Sequence, residues 1–300
     1  MDTIFILGVG RSGTSAVTRI LSLCGAALPN RLLRPGPGNP TGYWEPQSAL
    51  KYNDQFMQVI GSSYHDPTFR ILEASPDADK ARLTLEKNIG GFMENLPAAD
   101  VVVIKDPRIS GLMESWERAS RKLGHTVKIV HVFRNPTDVS SSLSRRYEMP
   151  VEHSLALWLK YNLLPERMTR HLPRVFISYQ EVMSNWRRVV QRCNRSLGLK
   201  LSFDGKISSQ VDGFLAEELQ HHHVSEGRIV GDPTPGKWIT RTYSALQQAA
   251  ALGEADVGDF DRIYEEYAGA MVFFAAAERS YQEKYGGVVK PVKPASGPRR

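Results

Sequence analysis

Four short apolar runs recur along the chain: Thr3 to Leu7, Val101 to Ile104, Val127 to Phe133 and Val175 to Ser178. Runs of this length without regular polar alternation fit strands buried on both faces. Between them, apolar residues follow a helical period over Ser12 to Cys24, Tyr52 to Ile60, Ala78 to Met93, Ser110 to Leu123, Thr137 to Arg146 and Val151 to His171. The pattern predicts an α/β fold: a P-loop-like, three-layer α/β/α arrangement with a central parallel sheet. In such sheets ligands gather beyond the C-terminal ends of the strands. The first three strands end in Gly8-Val9-Gly10-Arg11, Lys105-Asp106-Pro107-Arg108 and Phe133-Arg134-Asn135-Pro136, so the three turns are expected to share one site.

The first turn is the most telling. Gly8, Gly10 and Gly13 allow the backbone to turn tightly before a helix whose first amides face an anion. Arg11 adds a delocalised positive charge, and Ser12, Thr14 and Ser15 add hydroxyls. The Gly-Lys-Ser/Thr ending of a nucleotide-hydrolysing P-loop is missing. The turn therefore reads as a phosphate trap without metal–triphosphate machinery. A second anion feature follows the third strand: Arg134 stands at its end, Pro136 pre-sets the first helical turn, and Ser142 lies two turns on.

Composition narrows the partners. The formal net charge of +6 suits anionic ligands, but the cations are dispersed and no nucleic-acid module is present. Two cysteines, Cys24 and Cys193, exclude a disulfide scaffold and a cysteine-rich zinc site. His221-His222-His223 cannot face one ion from a regular element, so no metal is expected there. The longest apolar stretch, Ala268 to Ala277, is too short to span a membrane, and Asp2 stands where a secretory signal would be basic. A cytoplasmic protein is expected, with a basic, disordered tail over 286–300.

Arg134-Asn135-Pro136-Thr137-Asp138-Val139-Ser140-Ser141-Ser142-Leu143 has the form R-x-P-x-D-V-x-x-S-L, and Ile177-Ser178-Tyr179-Gln180-Glu181-Val182 follows a strand. With the first turn, these segments resemble sulfotransferases that use 3′-phosphoadenosine 5′-phosphosulfate (PAPS). Arg11 and Gly42-Tyr43-Trp44-Glu45 are similar to the bacterial carbohydrate-type or Golgi-type branch. The Lys-Thr-His segment of the cytosolic branch is replaced by Ile104-Lys105-Asp106-Pro107-Arg108. The resemblance implies the sulfotransferase fold in a single domain over 1–285, with an acceptor-side loop and helical insertions around 29–95. It implies that Gly10, Arg11, Ser12, Gly13, Thr14 and Ser15 cradle the 5′-phosphosulfate. Arg134 and Ser142 would hold the 3′-phosphate, and Arg228 is a candidate for a further contact to it.

Transfer of a sulfuryl group to an alcohol requires a base, positive charge on the transferring group and neutralisation of the leaving oxygen. Arg11 and Lys105 supply the positive side; Glu45 is the leading base, with Asp106 and His65 as alternatives. Glu45 can equally be a loop-stapling ion pair, and Arg108 either binds an anionic acceptor or pairs with Asp106. Asp138 reads as structural, satisfying amides at its helix start. No metal is required for a singly charged group. The acceptor is expected to be a hydroxylated small molecule, glycan or glycolipid, with carbohydrate leading. Specificity is placed in Pro29 to Pro46, in Tyr52 to Glu94 and around Trp238 and Tyr243, where Tyr43, Trp44, Tyr64 and Trp238 can stack on sugars. A P-loop-type small-molecule kinase and a non-catalytic adenosine-phosphate-binding protein are the alternatives, and homo-oligomerisation stays open.

Overall fold

The computed structural model describes residues 1–36, 39–221 and 233–285. All four apolar runs are strands: β1 (Asp2–Leu7), β2 (Val101–Lys105), β3 (Thr126–Phe133) and β4 (Arg174–Ser178). They form one parallel sheet in the order β2-β1-β3-β4. Helices α1 (Thr14–Leu23), α2 (Gln47–Val59), α3 (Pro76–Glu94), α4 (Ile109–Lys122), α5 (Pro136–Tyr147) and α6 (Val151–Met168) occupy the expected stretches. After β4 come α7 (Tyr179–Leu197), α8 (Gly205–His221), α9 (Pro233–Leu252) and α10 (Val257–Tyr285).

Strand alternation divides the core into two layers. Ile4 and Ile6 of β1 face α1, α7 and α8, whereas Phe5 and Leu7 face α2, α3 and α4. Helices α6, α9 and α10 extend the structure over Phe133 and Phe176. The result is a three-layer α/β/α fold. Each fully buried large apolar side chain contributes about 1.5–3 kcal/mol, so the sheet is a rigid platform for the turns at its ends.

The strand order locates the crevice. From β1 the chain runs outward to β2, then crosses back over β1 to build β3 and β4 on the other side. The order therefore reverses between β1 and β3, where ligands of open α/β sheets bind. The glycine turn and Arg134 leave the sheet at that point.

The Pro29 to Pro46 segment is irregular but closed at its base. Leu33 N donates to Glu45 O at 2.8 Å and Gln47 N to Arg31 O at 3.0 Å. Helix α2 begins at Gln47, earlier than the periodicity predicts, because Pro46 holds an extended N-cap with φ −66°. Cys24 and Cys193 are both free and buried, and desolvation pushes their thiols up to about 11 and about 12. Arg228, His222, His223 and the 286–300 tail lie outside the described residues. Among the described residues, no helix is long and apolar enough to cross a membrane, and no cluster of His, Cys, Asp or Glu could hold a metal.

Candidate functional site

The turn after β1 is built around glycines that nothing larger could replace. A Cβ on Gly8, at φ +132°, would lie 2.1 Å from the Val132 carbonyl oxygen of β3. Gly13, at φ +88°, is the N-cap of α1, and a Cβ there would lie 2.3 Å from the Tyr179 ring. The turn is thus pressed against β3 and the start of α7. Arg11 takes a left-handed backbone, φ +74°, and its Nε donates to Ser142 Oγ at 2.9 Å. Two residues assigned to opposite ends of the donor therefore touch across the crevice.

The other loop hydroxyls are placed unequally. Thr14 and Ser15 open α1 and line the cavity. Ser15 Oγ donates to the Tyr43 carbonyl at 3.3 Å, tying the glycine turn to the Pro29 to Pro46 segment. Ser12 is fully buried and does not line the cavity; its Oγ has no hydrogen-bond partner among the described residues.

β2 runs one residue further than the apolar pattern, and Lys105 is its last residue. Lys105 pairs in register with Ile6, so its buried side chain reaches the level of the glycine turn. There Nζ forms an ion pair with Glu45 Oε1 and donates to the Tyr43 carbonyl at 3.3 Å. Both alternatives for Glu45 meet here: it staples its loop to β2 and lies in the cavity wall.

β3 delivers Arg134. Its carbonyl accepts from Trp158 Nε1 at 3.0 Å, its guanidinium lies 4.4 Å from the Tyr179 ring centroid, and Nε donates to Asp138 Oδ2 at 3.3 Å. Asp138 therefore pairs with Arg134. The amide at the start of α5 is capped instead by Asn135, whose Oδ1 accepts from Thr137 N at 2.9 Å. β4 ends in a capping box between Ser178 and Glu181, which sets Tyr179 at the first turn of α7.

These turns enclose one cavity of about 380 Å³, bordered by residues from the ends of all four strands. That volume lies in the range of small-molecule sites. Gly10, Arg11, Gly13, Glu45, Lys105 and Arg134 all line it. Ser142 stands behind Arg11, through their hydrogen bond.

The remaining candidates divide. Asp106 is fully buried, accepts from Asn53 at 2.9 Å and from Arg108 at 2.9 Å, and does not line the cavity. Arg108 lines the cavity but pairs with both Asp106 and Asp54; despite burial, these carboxylates raise its pKa. His65 lines the cavity, with its pKa lowered by burial and then by Arg108. Tyr43 and Tyr64 reach the cavity. Trp44, at φ +58°, turns the other way and packs under Arg19, 4.6 Å from its ring centroid. Trp238 donates to Glu266 at 2.9 Å, and Tyr243 packs edge-on to Phe133 and Trp158. Neither Trp238 nor Tyr243 lines the cavity.

Arg146 and Tyr147 are lining residues that sequence reasoning missed. Arg146 donates to the Tyr43 hydroxyl at 3.0 Å and has no carboxylate partner among the described residues. It follows Ser142 by four residues on α5, so helical spacing alone could have flagged it.

No protein-family model matches the chain, and no curated protein does. Among solved structures, the chain is similar to the sulfotransferase domain of the Synechococcus PCC 7002 olefin synthase, at 16% identity and TM-score 0.48 over 81% of this chain and 94% of that one. It is also similar to a sulfotransferase domain from the curacin biosynthetic pathway, at 15% identity and TM-score 0.48 over 81% and 97%. Neither similarity gives a role to any residue here.

Proposed function

We propose that this chain moves a sulfuryl group from PAPS to a hydroxyl acceptor. The observation that carries the reading is the single cavity where the glycine turn, Arg11, Arg134 and the buried Lys105–Glu45 pair meet. The residues fit such a donor: a turn after β1 in which a Cβ on Gly8, Gly10 or Gly13 would clash, two arginines beside it, and the Thr14 and Ser15 hydroxyls in the cavity wall. When bound, the donor supplies the sulfuryl group and a bisphosphate leaving group.

The protein's part is positioning and charge. The Gly10–Ser15 turn and Arg11 hold the phosphosulfate end, and Arg134 and Ser142 hold the 3′-phosphate. Glu45 accepts the proton of the attacking hydroxyl as the new O–S bond forms and the old one breaks. Lys105 fixes the carboxylate that does so and adds positive charge to the cavity. Sulfuryl transfer resembles in-line phosphoryl transfer in this dependence on electrostatics.

On the acceptor side, we infer a carbohydrate or glycolipid hydroxyl, with Tyr43 offering a ring with a polar edge. Arg146 favours an acceptor that also bears an acidic group. The test is transfer of radiolabelled sulfur from PAPS into a panel of neutral and acidic glycans and glycolipids. Equimolar label in one acceptor and released bisphosphate supports the reading. Phosphate transfer from Mg-ATP, with no sulfur transfer, would replace it with the kinase alternative.

A further inference from the structure

Residues 62–69 carry Tyr64 and His65 to the cavity on an irregular segment. Four successive carbonyls of that segment are each met by a side chain. Tyr161 donates to Tyr64 O at 2.9 Å, and Lys160 to Asp66 O at 2.6 Å. His153 Nε2 lies 2.6 Å from His65 O, and Tyr267 donates to Pro67 O at 3.4 Å. Three of these side chains come from α6 and the fourth from α10. An irregular segment gripped at four consecutive residues is a positioning device.

What it positions is the Tyr64 hydroxyl. Gly10 N donates to Tyr64 Oη at 2.9 Å, and a Cβ on Gly10 would lie 2.6 Å from the same oxygen. A hydroxyl that accepts an N–H still has its own proton to give. Among the described residues nothing accepts that proton, and Tyr64 lines the cavity. Burial holds the phenol pKa well above its ordinary value, so it stays protonated and cannot serve as the base. The ring is covered by Arg108, 5.1 Å from its centroid, and by Tyr161, also at 5.1 Å. A sugar therefore has little ring face left to stack on.

We propose that the Tyr64 hydroxyl, held by the Gly10 amide beside Arg11, donates a hydrogen bond to an oxygen of the sulfuryl group being transferred. The proposal rests on the PAPS reading above. The attacking hydroxyl is the weaker candidate partner, because it must lose a proton and needs an acceptor such as Glu45. The negatively charged sulfuryl oxygens need donors.

The test requires no acceptor substrate. Calorimetric affinities for PAPS and for adenosine 3′,5′-bisphosphate are compared in the wild type, Tyr64→Phe, Gly10→Ala and the double variant. Tyr64→Phe retains the ring and its packing, and should weaken PAPS about tenfold while leaving the bisphosphate unchanged. Gly10→Ala displaces the same hydroxyl but also alters the turn that holds the 5′-phosphate, so it should weaken both nucleotides, PAPS the more. In the double variant the PAPS-selective part of the loss should not grow, because the atom that the new methyl strikes is already gone. In Tyr64→Phe, equal changes for both nucleotides or no change for either would overturn the proposal, as would additive PAPS-selective losses in the double variant. A wild type that binds neither nucleotide would bring down the PAPS reading itself, and this proposal with it.

Discussion

The two walls of the cavity are made by different means. The wall formed by the β1 turn, Arg134 and the start of α5 is set by backbone: strand ends, a glycine pressed on a neighbouring carbonyl, and a capped helix. The wall formed by Glu45, Tyr64 and His65 is set by side chains that cross long sequence distances to grip irregular backbone. A backbone-built wall leaves a compact local motif, which a reader can find. A side-chain-built wall scatters its determinants over several helices.

The largest effect expected from breaking this contrast is at Gly8. Gly8→Ala forces a Cβ onto the Val132 carbonyl, so it should cost about 3 kcal/mol or more in urea unfolding and abolish nucleotide binding. Normal stability would show that the wall is not backbone-limited.

Next is the buried ion pair. Glu45→Gln leaves Lys105 charged and without its carboxylate, a loss of about 3–5 kcal/mol. Adding Lys105→Met should restore most of that stability, while turnover stays down by about 10²–10⁴-fold. Recovery of activity along with stability would make Glu45 a staple only and shift the base to His65.

Smaller and more selective effects are expected from the arginines. Arg134→Ala should weaken the bisphosphate about 10–100-fold, whereas Arg11→Ala should depress turnover more than nucleotide affinity. Matching effects of both on binding and rate would erase this division of roles, and the Arg11–Ser142 hydrogen bond makes that comparison informative.

The last effect is on pH dependence and concerns the side-chain-built wall. Burial lowers the Lys160 pKa to about 8 from 10.5, partly offset by Asp66. Between those values the unfolded chain holds a proton that the folded one has released, so Lys160 makes stability rise with pH from about 8 to 10.5. Neutral Lys160 still donates to the Asp66 carbonyl. In denaturant titrations, the difference between wild type and Lys160→Met should grow across that window. A constant difference would mean that the lysine does not titrate there.

Much of this was legible in the sequence. The strands showed themselves because both faces are buried, and each expected one overlaps a real one. The helices before β4 followed their apolar period, although α2 starts earlier because Pro46 acts as a cap. Of the expected loop residues, Gly10, Arg11, Gly13, Thr14 and Ser15 line the cavity with Arg134, because local spacing encodes the strand end and the turn; Ser142 stands behind Arg11. Spacing could not show that Ser12 faces away from the cavity, that Trp44 turns toward α1, or that Asp138 serves Arg134. Asp138 lies only four residues from Arg134, where capping an amide and pairing with the arginine compete, whereas for Trp44 the outcome depends on a positive φ and a partner far along the chain. The grip on residues 64–67 was invisible for the same reason: its donors, His153, Lys160, Tyr161 and Tyr267, share no motif with the residues they hold.

The most direct test of the account is calorimetric titration with adenosine 3′,5′-bisphosphate, beside ATP and AMP with and without Mg²⁺. Selective binding of the bisphosphate that is indifferent to metal, and weakened by Arg134→Ala, is the predicted result. Preference for Mg-ATP, or no binding of the bisphosphate, would contradict the account at its centre.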